Sequence, residues 1–211
     1  MTAEAGRRLF FALWPDAAVA AALYAAARQA HRTCGGRLTR RDTLHMTLAF
    51  LGDVAAARLD QALAAAEKVG AGDTAPCVLT IDRIECWRHN HIVWAGGSRM
   101  PAELPALADA LAAALRERGF RIESRPFVAH ATLLRQAYCA AGLALAAPFA
   151  WPVGDFVLAE SKLGGAGASY DILGRWPLSP PLGGVALQCA RPAISWHGVG
   201  MGKQGDPPND D

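Results

Sequence analysis

The chain has 211 residues, a net charge of +2, 52% apolar side chains and 19% charged ones. That length buries a full core in one domain or in two small lobes, and the apolar share excludes a disordered chain. The small net charge excludes a protein that wraps duplex DNA by neutralising its phosphates, and the preference for Arg over Lys decides nothing by itself.

Arg8–Trp14 reads as a strand, closed by Pro15-Asp16, a stop followed by a helix N-terminal signal. The spacing predicts a helix to about Thr33, ended by Cys34-Gly35-Gly36. A second strand, Leu44–Leu51, stops at Gly52-Asp53, and Asp53 is expected to cap another Ala-rich helix to about Val69. Cys77–Trp87 and His91–Ala95 read as the strands of a hairpin turned by Arg88-His89-Asn90. From Pro101 to Arg118, Leu104, Leu107, Leu111 and Leu115 form one helical stripe, which Gly119 stops. Arg121–Ser124 and Val128–Arg135 read as extended. Two late strands, Val153–Ser161 and Ser169–Trp176, flank a Gly-rich loop at 164–167. Past Leu178 the chain turns to Pro, Gly and isolated polar residues, so 179–211 is expected to be an irregular or disordered tail behind a bilobal domain spanning 1–178.

The five cysteines (Cys34, Cys77, Cys86, Cys139, Cys189) are odd in number, scattered and free of any C-x-x-C pair. That pattern argues against a disulfide framework and a thiolate zinc site, and points to a reducing compartment. The apolar run Leu9–Leu13 is too short for a signal peptide, and the Ala-rich stretch 17–30 is interrupted by Arg28 and Gln29. A cytoplasmic monomer without membrane attachment is expected. Cys86, His89 and His91 straddle the hairpin and lack a fourth ligand at a familiar spacing, so no metal site is assigned to them.

A repeat emerges when the halves are aligned: strand 8–14, helix, Gly36, then His45-Met46-Thr47-Leu48; strand 91–95, helix, Gly119, then His130-Ala131-Thr132-Leu133. Residues i and i+2 of a strand share a face, so each His points with its Thr. A lone histidine on a strand is ordinarily a structural residue. Two in matching His-x-Thr-Leu units, at corresponding points of a repeat, need another explanation. If the halves are related by a pseudo-two-fold axis, two imidazoles and two hydroxyls share one cleft. One neutral imidazole can then accept a proton while a protonated one donates, and the hydroxyls can hold non-bridging phosphate oxygens. Such a scheme needs no metal and no cofactor.

The segments 45–52 (HMTLAFLG) and 130–135 (HATLLR) resemble the two signatures of the 2H phosphoesterase superfamily, and more narrowly the bacterial LigT-like RNA 2′,3′-cyclic phosphodiesterases, also called 2′-5′ RNA ligases. The resemblance runs from Arg8 to Leu178. It implies an α+β fold of two pseudo-symmetric lobes, each an antiparallel sheet backed by helices, with a central cleft carrying the His-x-Thr motifs. It further implies hydrolysis of RNA 2′,3′-cyclic phosphate ends to 2′-phosphomonoesters, with 2′-5′ RNA ligation as a related alternative; a non-catalytic nucleotide- or RNA-binding module is the rival reading from another class. By position, His45 would be the acid, His130 the base, and Thr47, Thr132 and Arg135 the phosphate ligands. Phe11 would lie near the nucleobase. Strict alternation turns Arg135 away from His130, so its role requires a bulge or strand end there. Ala129 stands where the family commonly has Pro, which loosens the backbone and removes no reacting group.

Overall fold

The computed structural model describes residues 6–139, 142–164 and 167–179. In chain order the elements are β1 (Arg7–Leu13), α1 (Ala17–Cys34), β2 (Arg37–Leu38), β3 (Met46–Val54), α2 (Leu59–Gly70), β4 (Cys77–Ile81), β5 (Arg83–Trp87), β6 (Ile92–Gly96), α3 (Glu103–Glu117), β7 (Ala131–Arg135), β8 (Phe149–Val153), β9 (Asp155–Gly164) and β10 (Gly167–Pro177). Residues 180–211, the greater part of the expected tail, lie outside the described residues, as do Gly165 and Ala166 of the Gly-rich loop. Among the described residues no helix is long and apolar enough to cross a membrane.

Two antiparallel halves, β10-β9-β1-β3 and β7-β6-β5, join edge to edge into one eight-stranded sheet, with β2 as an extra short strand on β7. The join between β3 and β7 is the pair Met46↔Ala131. In β1 the alternation decides which side is which. Leu9, Phe11 and Leu13 belong to the main core shared with the helices, whereas Phe10 and Ala12 form a second small cluster with Val157 and Ala159, against which Trp14 and Tyr170 pack.

The helices cross over between halves. α1 leaves β1 of the first half yet packs on β7 and β6 of the second, while α3 leaves β6 of the second half and packs on β3 and α2. Each crossover helix thus covers the other half's strands. The composition of α1 suits this packing. Val19, Leu23, Ala26, Ala27, Ala30 and Cys34 recur at three- and four-residue steps and are buried, and small Ala side chains let the helix lie close to the sheet. Asp16 caps α1 by accepting a hydrogen bond from the Val19 amide at 2.8 Å, a contribution of about 1 kcal/mol.

Several expectations are corrected. Asp53 caps no helix: β3 continues through it, paired with Arg8, and α2 begins at Leu59 after a short 3-10 turn. The predicted strand 77–87 breaks at Asp82 into β4 and β5. Those strands belong to different sheets, because β4 pairs with β8, a strand the sequence did not announce. At the break Asp82 accepts bonds from the Ser98 amide and hydroxyl. Arg121–Ser124 forms no strand.

The cysteines also depart from expectation: Cys34 and Cys139 are joined by a disulfide, with Cα atoms 4.5 Å apart across 105 positions, while Cys77 and Cys86 are free. No spacing rule could announce a bridge between a helix end and a loop so far along the chain. The expectation of a reducing compartment rested on unpaired cysteines and loses that support.

Candidate active site

The register at the sheet's join builds the site. Met46 faces Ala131 across antiparallel β3 and β7. Continuing that register by one residue sets His45 opposite Thr132 and Thr47 opposite His130. On that register all four would share a face, with the two histidines, each one residue before its strand, diagonal to one another, a relation that spans about 7–8 Å between backbones.

Both rings are held the same way. His45 Nδ1 lies 2.7 Å from the Thr43 carbonyl and His130 Nδ1 lies 2.7 Å from the Val128 carbonyl. A carbonyl only accepts, so Nδ1 carries the proton in each ring and donates it. Nε2 is left for chemistry. Thr43 is itself buried, its hydroxyl bonded to the Arg40 carbonyl, which stiffens the turn that carries the His45 partner.

The surroundings of the rings differ. His45 is stacked on Trp14 (centroids 5.5 Å apart, planes 6° apart) and touched by Phe10 at 4.9 Å and by the edge of Tyr170 at 5.1 Å. This cage strips water from the ring and pushes its pKa down to about 4, with Arg135 and His130 adding to the depression and the Thr43 carbonyl opposing it. His130 meets Trp87 at 4.6 Å and the edge of Trp94 at 6.3 Å. Its pKa is lowered too, first by burial and then by Arg135, against the Val128 carbonyl.

A cavity of about 110 Å³ opens beside His45, lined by Arg37, Thr39, Arg40, Thr43, Thr132, Arg135 and Tyr170 among others. Arg135 is the last residue of β7 and Gln136 follows at φ 55°. The strand therefore ends where alternation would have turned Arg135 away, and its side chain reaches the cavity. Thr132 lines the cavity, whereas Thr47 and His130 do not.

Phe11 is a correction. It is 0% exposed and packs on Phe156 and Trp176 in the main core, so it cannot touch a base. Its neighbour Phe10, on the opposite side of β1, packs against the His45 ring in the second small cluster. Arg37, Arg40, Trp14 and Tyr170 were missed. Arg37 and Arg40 precede His45 by eight and five residues, a proximity that hinted at them, whereas Tyr170 comes from β10 and only tertiary structure brings it there. Among the described residues no group of three or more His, Cys, Asp or Glu gathers as metal ligands, and this includes Cys86, His89 and His91.

One sheet of two antiparallel halves joined at β3 and β7, with His45 and His130 each one residue before a joining strand and an Arg-lined cavity beside His45, is an α+β architecture suited to a phosphoesterase. Residues 13–94 match the family model described as LigT like Phosphoesterase. The chain is 34% identical over 147 residues to the RNA 2′,3′-cyclic phosphodiesterase of Escherichia coli (strain K12), covering 68% of this chain and 81% of that protein. It is also similar to the crystal structure of E. coli LigT complexed with 3′-AMP, at TM-score 0.74 and 30% identity over 82% of this chain and 99% of that one. The crystal structure of TT0787 of Thermus thermophilus aligns at TM-score 0.68 and 26% identity, over 82% of this chain and 98% of that one. The chain belongs to the LigT-like phosphoesterase family.

Proposed function

We propose that this enzyme hydrolyses the 2′,3′-cyclic phosphate at RNA ends to a 2′-phosphomonoester, with His130 as general base and His45 as general acid. His130 Nε2 takes a proton from water, whose oxygen attacks phosphorus. The P–O3′ bond breaks, and His45 Nε2–H protonates the departing oxygen. Arg135 and Thr132 hold the non-bridging oxygens, and Thr47 assists beside His130.

The pairing of Met46 with Ala131 supports this reading: continued one residue to either side, its register would put the two Nδ1-anchored imidazoles diagonal to each other, each with Nε2 available. The acidities support the division of labour. The more strongly depressed ring, His45, makes the stronger acid once protonated, and His130 makes the better proton acceptor. In the free enzyme at pH 7 both rings are neutral, so His45 takes up its working proton from solvent as the substrate binds. A cyclic phosphate carries one negative charge, and its arrival beside His45 favours imidazolium there.

The test is to incubate the enzyme, with excess EDTA, with RNA ending in a 2′,3′-cyclic phosphate and to identify the product isomer. A 2′-phosphate is expected. A 3′-phosphate would exchange the roles of the two ester oxygens, a new 2′-5′ linkage would favour ligation, and no turnover of any cyclic phosphate would leave a binding protein.

A further inference from the structure

The Cys34–Cys139 bridge takes no part in the chemistry above, yet it lies close behind two walls of the cavity. One wall, Arg37–Arg40, begins after the turn Gly35-Gly36 that follows Cys34. The other, Thr132 and Arg135, ends four residues before Cys139. The two walls meet through the two-residue β2, which pairs Arg37 with Arg135 and Leu38 with Leu134, extended by a bond from the Thr39 amide to the Leu133 carbonyl at 2.9 Å, while the other edge of β7 is held by β6 through Ile92 and Arg135. A ladder this short is weak by itself. It also sets two Arg residues directly opposite, and like charges facing each other across strands push them apart.

The bridge closes the open end of that ladder. Next to it the Tyr138 amide donates to the Cys34 carbonyl at 2.9 Å. At Gly36, with φ 83°, a Cβ would sit 2.7 Å from the Arg135 carbonyl oxygen, so the two segments are in backbone contact there. His45 and His130 are anchored elsewhere, by the join of β3 with β7 and by their own carbonyl partners two residues back.

We infer that the Cys34–Cys139 disulfide is a positioning element for the phosphate ligands, holding Arg135 against the Arg37–Arg40 wall, so that affinity for the phosphate group depends on the oxidation state of this pair. The inference rests on the proposed site. In the forward step one cysteine thiolate attacks a small disulfide such as oxidised glutathione and releases one thiol. The second thiolate then displaces the other thiol as the internal S–S bond forms. Two electrons pass to the small disulfide, and the two cysteine protons end on the released thiols. A dithiol reverses it. Cys34 is buried and Cys139 half-buried, so exchange is approached from the Cys139 side.

The experiment compares the full chain equilibrated with oxidised glutathione and with dithiothreitol, thiol titration confirming a difference of two. KM for adenosine 2′,3′-cyclic monophosphate and Kd for inorganic phosphate are expected to rise about fivefold on reduction, the effect of freeing one long side chain before binding. kcat should stay within about twofold, because the imidazoles are not tethered by the bridge. The double variant Cys34→Ser with Cys139→Ser should match the reduced form in both conditions, and Cys77→Ser with Cys86→Ser should keep the response. Equal KM and Kd in the two states, a response that survives the Cys34/Cys139 change, or a fall in kcat at constant KM would overturn the inference. If neither state turns over, the proposed activity fails while the phosphate Kd still decides the positioning role.

Discussion

His45 and His130 sit in the same local frame and in different solvents. Each donates Nδ1–H to the carbonyl two residues before it, at the same 2.7 Å. Yet His45 is enclosed by Phe10, Trp14 and Tyr170, with its pKa down to about 4, while His130 has indole rings only, from Trp87 and Trp94. A short motif repeated in a chain can therefore set the geometry of two groups identically and leave their acidities to the strands that happen to cover them. Pseudo-symmetry supplies the pair, and its breaking by β1 and β10 supplies the difference an acid and a base require.

The comparison breaks most completely if one histidine proves dispensable. His45→Ala and His130→Ala should each lower kcat/KM by about 10²–10⁴-fold on a cyclic nucleotide, and the double variant should be little worse than either single, since the two act as a unit. The difference in acidity has a signature in stability. A histidine whose folded pKa is depressed costs folding free energy as it is protonated, so stability is intact above pH 6.5 and declines as pH falls towards about 4. For His45 the loss is on the order of 3 kcal/mol, and urea titrations across that window should show the slope flattened in His45→Gln.

Arg135 sharpens the picture because its charge depresses both rings. Arg135→Met should raise KM by about tenfold through the lost charge-assisted bonds and move the alkaline limb of kcat/KM upward, both read from one set of pH profiles. In the unaltered enzyme that limb should begin below pH 6.5, because both free-enzyme values lie under the ordinary one. The smallest effect separates the two cages. Trp14→Phe should raise the His45 pKa and leave His130 unmoved, Trp87→Phe should do the reverse, and NMR titration of the ring protons reads each, with rates changing only about two- to fivefold.

The stretches that were legible share a reason. The strand–helix–strand repeat, the Leu stripe of α3 and the twin His-x-Thr units are written in periods of two and three to four residues, so neighbours along the chain suffice to reveal them. Helix α1 is a clear case: Asp16 and Gly35 bound it, and its buried positions follow from spacing alone. Where a residue's meaning depended on its neighbour across a sheet, local pattern failed. Asp53 looked like a cap because Gly52 precedes it, but pairing with Arg8 kept it in the strand.

By itself, then, the order of residues placed two histidines at matching points of a strand–helix–strand repeat, each two residues before a threonine. Only the tertiary structure decided that those strands meet at Met46 and Ala131, that Phe10 and not Phe11 packs against His45, that Tyr170 arrives from the far end of the chain, and that Cys34 finds Cys139. Periodicity is a property of adjacent residues, whereas register, strand order and which side chain strips water from an imidazole are properties of segments brought together from about a hundred residues apart.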